Sequence, residues 1–359
     1  MAARRIVILT EGHTDPLTAK TATSVLRYQP REVIALLDST QAGKTSGELL
    51  GVGGDTPVIA RLDQADNPDT LLIGIAPMGG KLPPAWKAIV LEALDRRMTV
   101  ISGLHDFLSN DPDLVRRAQE RGATIQDIRK NNERDVSNWT DLRADCLRIH
   151  TVGHDCSVGK MVASIEVARE LARRGHDAKF VATGQTGIMI EGDGCPVDCV
   201  VSDFVNGAVE KLVIANQHHE ILLIEGQGSL AHPRYSAVTA GLLHGCLPHG
   251  LIMVYEAERK TINGMPHVPL QPLPKLVEGY KALAALHMPT RLIGVAVNTR
   301  LLSPAAAAEE CSRVSRELGV VACDVFRDGA GPLAEAVLAL REELFGGAAA
   351  SSEQICRST

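Results

Sequence analysis

Apolar runs and amphipathic stretches alternate along most of this chain. In the first 130 or so residues, short runs of Val, Ile and Leu are separated by segments whose apolar residues recur at helical spacing. The runs predict strands at Arg5–Thr10, Glu32–Asp38, Thr70–Pro77, Met98–Ser102 and Thr124–Ile128. The segments between them predict helices at Leu17–Tyr28, Pro84–Arg97 and Pro112–Arg121.

The same alternation starts again after a polar stretch and continues nearly to the end. Its predicted strands are Cys146–Thr151, Ala178–Ala182, Val197–Ser202, Glu220–Glu225, Leu251–Tyr255, Arg291–Asn298 and Val320–Cys323. Its predicted helices are Lys160–Arg174, Phe204–Gln217, Tyr235–Leu243, Pro274–Ala285, Pro304–Leu318 and Pro332–Leu344. Strands and helices that alternate in this way indicate βαβ units and a mostly parallel sheet.

The polar stretch between the two patterns predicts a domain boundary. We expect a Rossmann-like domain over residues 1–130, although no G-x-G-x-x-G follows its first strand. A linker over 131–145 then leads into a second α/β domain over 146–345. The small and polar residues 346–359 are expected to form a flexible tail.

Composition narrows the class of protein. Aromatic residues make up only 3% of the chain against 45% hydrophobic residues, so the core must be aliphatic, as in buried parallel strands. A net charge of −6 argues against a general nucleic-acid binder. No apolar run approaches the roughly 18 residues that span a bilayer. We therefore expect a cytoplasmic protein with reduced thiols and no nucleic-acid or membrane partner, and we expect a homo-oligomer.

The strongest motif is a glycine-rich loop between a predicted strand and a predicted helix. Glycines allow backbone N–H groups to surround a phosphate, the helix N-terminus favours negative charge, and a lysine at the end of the loop reaches the terminal phosphates. The loop predicts a phosphate-binding P-loop made of Gly153, His154, Asp155, Cys156, Ser157, Val158, Gly159, Lys160 and Met161. The alternative is a tight strand-to-helix turn with an exposed lysine.

Two features of the loop depart from the standard P-loop. Five residues separate its glycines instead of four, and Met161 stands where a Ser or Thr hydroxyl normally binds magnesium. A thioether is a poor ligand for that hard cation. If ATP and Mg²⁺ bind here, the metal must take its ligands elsewhere.

The longer loop resembles that of dethiobiotin synthetase, which reads G-T-D-T-x-V-G-K-T. The segment Leu222–Gly228 is similar to the V-E-G-A-G segment of that enzyme, and Val295–Arg300 has the strand-end asparagine with which such folds often bind a purine base. The resemblance implies a P-loop NTPase-type fold for roughly residues 146–345. The expected fold class is therefore α/β, with an N-terminal Rossmann-like domain followed by a P-loop NTPase-type domain with a mostly parallel sheet.

The resemblance also implies roles for individual residues. Asn298 and Arg300 would bind the base, and Glu225 with Asp155 would hold Mg²⁺ if ATP is used. The alternatives are that Glu225 caps the next turn and that Asn298 is an ordinary turn residue.

The chain as a whole resembles one family. Ser102–Leu108, the polar link and the string Asp155–Met161 are similar to a family long filed as of unknown function, which includes the DgcN-like D-glutamate N-acetyltransferases. The resemblance covers about residues 5–345. It implies transfer of an acetyl group from acetyl-CoA to the amine of a small amino acid, D-glutamate. The P-loop would then hold the phosphates of coenzyme A without magnesium, which suits Met161.

An amine must lose a proton before it attacks a thioester, so the site needs a base. We predict Glu225, Lys160 and His232 as catalytic residues, with Glu225 as the first candidate for the base. The guanidinium of Arg234 could bind a substrate carboxylate through two parallel hydrogen bonds. The residues expected to line the substrate pocket are Thr183, Gln185, Thr186, Gln227 and Arg234. The alternatives are that His232 is a loop residue and Arg234 a surface charge.

Other readings of the chemistry stay open. The P-loop could serve an ATP- and Mg²⁺-dependent ligase or carboxylase of the dethiobiotin synthetase type, or a nucleotide-binding regulatory protein. Cys195 and Cys199 are the closest cysteine pair, but no second pair or histidine cluster completes a zinc pattern along the sequence. The spacing of the histidines, among them His105, matches no set of metal ligands.

Overall fold

The chain forms two compact units. A computed structural model describes residues 3–16, 18–77 and 79–356, with side chains through residue 346. The first unit comprises Met1–Asn131 and Gln185–Cys199, and the second comprises Asn132–Gly184 and Val200–Thr359. The predicted domain boundaries divide the chain into consecutive segments. They therefore assign Gln185–Cys199 to the second domain, whereas this excursion of the chain belongs to the first unit.

The first unit is a parallel sheet with helices. Its strands are β1 Ile6–Leu9, β2 Val33–Leu37, β3 Val58–Ile59, β4 Thr70–Ile73, β5 Thr99–Ser102 and β6 Thr124–Asp127. Its helices, numbered in chain order, are α1 Lys20–Tyr28, α2 Ser46–Leu50, α3 Lys87–Asp95, α4 Pro112–Arg121 and α6 Gln185–Glu191. The strand order β3-β2-β1-β4-β5-β6 is that of a Rossmann fold.

The second unit is a second parallel sheet with its own helices. Its strands are β7 Leu147–Gly153, β8 Ala178–Val181, β9 Ile221–Ile224, β10 Gly250–Glu256, β11 Thr261–Ile262, β12 Met265–Pro269, β13 Arg291–Asn298 and β14 Val321–Cys323. Its helices are α5 Lys160–Arg173, α7 Val205–Asn216, α8 Ser236–Cys246, α9 Leu273–Ala284, α10 Pro304–Leu318 and α11 Gly331–Cys356. The sheet order is β14-β13-β10-β7-β9-β8, and β11 and β12 form a separate antiparallel hairpin.

Strand β7 lies at the centre of the second sheet and leads into the P-loop. It pairs in parallel with β9 on one side and with β10 on the other. Every residue of these three strands is buried, as expected for strands covered on both faces. Because all six strands are parallel, their carboxyl ends lie at the same edge of the sheet.

The structure confirms the α/β fold and most of the predicted elements, with a few differences. The strand predicted at Val197–Ser202 is wrong: the chain forms 3₁₀ turns at Val197–Cys199 and Ser202–Phe204. The sequence pattern did not reveal α6 or the β11–β12 hairpin, which are both short. The predicted helix start at Leu17 lies outside the described residues.

The carboxyl-terminal end differs from the expected tail. Helix α11 continues to Cys356, while residues 357–359 of the predicted flexible tail lie outside the described part of the chain. None of the helices in the described residues combines the length and apolar character needed to cross a membrane.

The segment predicted as a linker is bound to helix α7. The buried carboxylate of Glu210 accepts hydrogen bonds from Ser137 Oγ, from the backbone N–H of Asn138 at 2.8 Å and from that of Trp139 at 2.6 Å. Farther along the helix, the amide of Gln217 accepts from the N–H of Arg143 at 2.6 Å. These contacts bind the polar segment to α7 at the start of the second unit.

Replacing Glu210 with alanine should release this segment. Three donors would lose their acceptor, at a cost of about 1–3 kcal/mol in the free energy of unfolding. We expect faster amide hydrogen exchange at residues 137–139 and a lower urea midpoint. Lys211→Ala is the matched control, because Lys211 is the next residue of α7 and its ion pairs with Glu133 and Asp135 do not involve residues 137–139. Unchanged exchange at 137–139 in Glu210→Ala would show that other contacts hold the segment.

Candidate phosphate-binding site

The loop Gly153–Met161 closes around the start of α5. Ser157 has a φ of 56° and Gly159 a φ of 111°, so the chain passes twice through the left-handed region before the helix begins. At Gly159 a side chain would be strained, which explains the glycine. The first-turn N–H groups of α5 have no partner within the helix and favour an anion at this end. The backbone is therefore shaped to bind phosphate groups.

Lys160 is buried at the start of the helix. Its Nζ donates a hydrogen bond of 2.8 Å to the carbonyl oxygen of Asp155 within the loop. Burial lowers the pKa of Lys160 to about 8, although the nearby Cys156, Asp155 and Glu225 favour the charged form. The charge of this lysine therefore depends on pH close to the physiological range.

The carboxylate of Asp155 organises the loop from within. It is fully buried, and its Oδ2 accepts from Arg259 Nη1 at 2.9 Å and from the backbone N–H of Asn263 at 2.7 Å. Its Oδ1 accepts from the N–H of Cys156 at 2.7 Å. An arginine already pairs with this carboxylate, so Asp155 is poorly placed to hold Mg²⁺ as well.

Arg259 is a site residue that the sequence did not reveal. Its Nη1 also donates to the carbonyl oxygen of Cys156 at 2.9 Å, and its Nε donates to Glu256 at 2.7 Å. Glu256, at the end of β10, also accepts from Arg300 Nε. The two arginines therefore neutralise Asp155 and Glu256 beside the loop. Only the charged cluster that follows β10 in the sequence could have indicated Arg259.

Asn298 and Arg300 lie where the resemblance to dethiobiotin synthetase led us to expect them, at the end of β13. Asn298 Nδ2 donates to the carbonyl oxygen of Val158 at 3.2 Å, and its Oδ1 accepts from the N–H of Arg300 at 3.3 Å. The Arg300 guanidinium pairs with Glu256. Asn298 thus contacts the P-loop itself, and base binding by these two residues stays a prediction.

Glu225 follows β9 and is held by backbone amides. Its Oε2 accepts from the N–H groups of Thr183 at 2.9 Å and Gly184 at 3.1 Å, and its Oε1 accepts from Gln227 Nε2 at 3.1 Å. An added Cβ at Gly184 would overlap Gln227 Nε2, so the amide of Gln227 packs directly against this glycine. Glu225, Thr183 and Gln227 therefore form one hydrogen-bonded group.

His232 is buried, and a hydrogen bond determines which of its nitrogens carries the proton. Its Nδ1 accepts from the backbone N–H of Arg234 at 3.1 Å, so the neutral ring has its hydrogen on Nε2. That nitrogen lies 3.7 Å from Asp155 Oδ1. This distance is too long for a hydrogen bond, so the buried Nε2 of His232 lies beside the P-loop carboxylate without a hydrogen-bond partner. Its predicted role as a catalytic residue therefore requires proton transfer at Nε2.

The same tautomer opposes metal binding at the P-loop. Asp155, Cys156 and His232 place one potential ligand atom each within 4.8 Å of one another. A metal needs the lone pair of Nε2, whereas the bond from Arg234 uses that of Nδ1. Together with the arginine on Asp155, this disfavours a cation here.

His154 is the loop residue with the least satisfied side chain. It is 3% exposed, and both ring nitrogens are buried without a hydrogen-bond partner. Burial lowers its pKa to about 4, so the ring is neutral at physiological pH. An unpaired buried polar group costs about 1–3 kcal/mol, and a ligand in the loop that reached the ring could offset this cost.

Tyr280 is a second residue that the sequence did not reveal. It is fully buried on α9, and its hydroxyl donates to the carbonyl oxygen of Gly153 at 2.8 Å. The hydroxyl oxygen of Tyr280 in turn accepts from the N–H of Leu230 at 3.1 Å. Tyr280 therefore connects the first glycine of the loop to the turn that carries His232.

The remaining predicted residues lie in different surroundings. Arg234 is exposed, and its guanidinium lies close to Gly264 in the turn of the β11–β12 hairpin. A Cβ added to that glycine would lie 3.6 Å from Arg234 Nη1. Gln185 and Thr186 belong to the first unit, where Gln185 Nε2 donates to Thr21 Oγ1 at 3.0 Å. Their predicted role in substrate binding stays a prediction.

The pKa of Lys160 predicts how phosphate binding depends on pH. Lys160 is charged below about pH 8 and neutral above it. The affinity of the loop for a phosphate ligand, with coenzyme A as the probe, should therefore fall by up to tenfold per unit as the pH rises beyond that value. Calorimetric titration between about pH 7 and about pH 9 measures this. Lys160→Arg keeps its charge throughout and should flatten the profile. An equally steep profile in that variant would assign the effect to another group.

Two family models together match most of the chain. The P-loop domain of a family described as a domain of unknown function, DUF1611, matches residues 131–334. The Rossmann-like domain of the same family matches residues 39–131. These matches confirm the two predicted fold types.

Individual relatives match over nearly the whole chain. A D-glutamate N-acetyltransferase from Tritonibacter scottomollicae is 35% identical over 91% of this chain and 96% of its own. A second protein of that name, from a Pseudoalteromonas species, is 37% identical over 72% of this chain and 78% of its own. The crystal structure of a DUF1611 family protein from Anabaena variabilis is 37% identical, with a TM-score of 0.88 over 93% of this chain and 99% of that one. The protein therefore belongs to the DUF1611 family, as its loop and domain order had indicated.

Proposed function

We propose that this protein is an N-acetyltransferase that transfers the acetyl group of acetyl-CoA to the amine of D-glutamate. Support comes from the two relatives that carry this activity in their names and match 91% and 72% of the chain. The single structural observation that carries the proposal is a phosphate loop whose neighbouring carboxylates Asp155 and Glu256 are already paired with arginines.

The residues of the loop suit a diphosphate that binds without a metal. Lys160 and the first-turn amides of α5 supply positive charge and donors, and Met161 removes the hydroxyl that would bind magnesium. His154 adds a neutral ring with two unpaired nitrogens. In this proposal the loop anchors coenzyme A by its phosphates.

The reaction then follows from the chemistry of the two substrates. The ammonium group of the acceptor loses a proton, and its nitrogen attacks the thioester carbonyl. A C–N bond forms, the C–S bond breaks, coenzyme A leaves as a thiol, and one proton is released overall. A base must take the proton from the ammonium group.

The length of coenzyme A constrains where that base acts. The arm between the diphosphate and the thioester is about as long as four extended residues, roughly 14 Å. Glu225 lies at the phosphate end, close enough to Lys160 to favour its charged form. Glu225 can therefore act as the base only if the arm folds back over the edge of the sheet. Otherwise this carboxylate orders the phosphate site through its hydrogen bonds.

Arg234 is our candidate for binding a carboxylate of the acceptor. Its side chain is exposed beside the turn of His232, which hydrogen-bonds the N–H of Arg234. D-glutamate has two carboxylates, and a guanidinium binds a carboxylate through two parallel hydrogen bonds. The position is separate from the buried Lys160, so substitutions can distinguish the two substrates.

Release of coenzyme A thiol from acetyl-CoA, measured with D-glutamate and without ATP, tests the proposal. Wild-type protein should release thiol only when the acceptor is present. Lys160→Ala should raise the KM for acetyl-CoA by at least tenfold, whereas Arg234→Ala should raise the KM for D-glutamate only. Absence of acceptor-dependent release over a panel of D- and L-amino acids would refute the proposal. Turnover that requires ATP and Mg²⁺ would instead indicate a ligase.

Glu225→Gln separates the two roles of that carboxylate. Loss of a base lowers kcat by about 10²–10⁴ with little change in the KM for acetyl-CoA. Loss of order at the phosphate site raises that KM and leaves kcat closer to the wild-type value. We expect the fall in kcat, and an effect confined to KM would remove Glu225 from the proton transfer.

A further inference from the structure

Three potential metal ligands meet in the first unit, although they are far apart in the sequence. His105 follows β5, while Asp198 and Cys199 are neighbours in the 3₁₀ turn Val197–Cys199. One nitrogen of His105, the thiol of Cys199 and a carboxylate oxygen of Asp198 all lie within 4.8 Å of one another. Because 94 residues separate His105 from Cys199, the spacing along the chain gave no sign of the cluster.

The distances in this cluster approach those of a coordinated ion. Tetrahedral zinc, with bonds of about 2.0–2.3 Å, holds its ligand atoms roughly 3.5 Å apart. His105 Nδ1 lies 3.3 Å from Cys199 Sγ, and His105 Nε2 lies 3.7 Å from Asp198 Oδ2. These two contacts use different nitrogens of the imidazole, and an ion takes only one of them. A rotation of the His105 ring must therefore bring a single nitrogen toward Cys199 Sγ and Asp198 together.

Neighbouring groups hold the three residues in place. Arg129, whose side chain is 12% exposed, donates from Nε to Asp198 Oδ2 at 3.0 Å. Asn131 Nδ2 donates to the carbonyl oxygen of Cys199 at 3.1 Å. On the other side, the N–H of Asp106, next to His105, donates to the carbonyl oxygen of Gly80 at 2.9 Å. Carboxylates that bind metals are commonly held in this way by a further hydrogen bond. Arg129 uses Oδ2 of Asp198 and leaves Oδ1 for an ion, whereas both oxygens of Asp155 accept hydrogen bonds.

We propose that His105, Asp198 and Cys199 form a binding site for a divalent transition-metal ion of the zinc class. An imidazole, a thiolate and a carboxylate are the ligands that zinc takes in proteins, and a thiolate discriminates against Mg²⁺ and Ca²⁺. Three protein ligands leave a fourth position for water. The side chains of His105 and Asp198 are 49% and 23% exposed, so water can reach it.

The bound ion would link the excursion Gln185–Cys199 to the rest of the first unit and stabilise its position there. Two of its ligands, Asp198 and Cys199, end that segment, whereas His105 belongs to the main part of the unit. The site is therefore independent of the phosphate loop and of the proposed acetyl transfer.

Titration of the full chain, first stripped with a chelator, with Zn²⁺ or Co²⁺ alone tests the site. We expect one equivalent of Co²⁺ to bind, with thiolate charge-transfer absorption and the visible bands of a tetrahedral ion. Zn²⁺ should displace it and slow amide hydrogen exchange in residues 185–199. Failure of both ions to bind would overturn the proposal.

Four variants locate the ion. Cys199→Ser should abolish the charge-transfer band, and His105→Gln should weaken binding at least tenfold. Arg129→Gln should weaken it by about 10–100-fold through the carboxylate that it holds. Cys156→Ser, in the P-loop, is the matched control and should leave the spectrum unchanged. A band lost in Cys156→Ser but retained in Cys199→Ser would place the metal at the phosphate loop and overturn the assignment.

Discussion

The ion pair between Asp155 and Arg259 is the interaction on which the phosphate loop depends. A buried carboxylate is costly unless it is paired and hydrogen-bonded, and Asp155 receives an arginine and two backbone N–H groups. The arginine also donates to the carbonyl oxygen of Cys156, so one side chain links the inside of the loop to its backbone. Removing either partner would leave a buried charge beside the position where a phosphate is expected.

This pairing changes what the loop can bind. In a P-loop that uses magnesium, free carboxylates and a hydroxyl hold the cation beside the phosphates. Here the neighbouring carboxylates Asp155 and Glu256 contact arginines, and the hydroxyl position is occupied by Met161. The positive charge that an anion meets is then supplied by protein groups. Such a loop is better suited to holding a cosubstrate by its phosphates than to transferring a phosphoryl group.

The sequence predicted those parts of the molecule that depend on local pattern. Most strands of the two sheets, although not the two-residue β3, were recognisable because buried parallel strands are continuous apolar runs. The loop was recognisable because glycines and a lysine must follow one another closely. Arg259, Tyr280 and the group of His105 with Cys199 depend on contacts between distant segments, and no spacing reveals them. The strand expected at Val197–Ser202 had a suitable composition. The 3₁₀ turn that begins there directly follows Pro196, which cannot donate to a sheet, and tertiary context overrode the propensity.

The excursion Gln185–Cys199 has a consequence for how the protein is made. Met189 belongs to the core that α1 packs against, and Gln29 donates to the carbonyl oxygen of Ile190 at 3.0 Å. A ribosome that has finished Asn131 has therefore not yet made all of the first unit. It must first synthesise β7, the phosphate loop, α5 and β8, which at about 5–20 residues per second takes several seconds. During that interval α1 can pack against the strands of its own sheet but lacks Met189 and Ile190. The first unit is therefore completed only after part of the second unit has been synthesised.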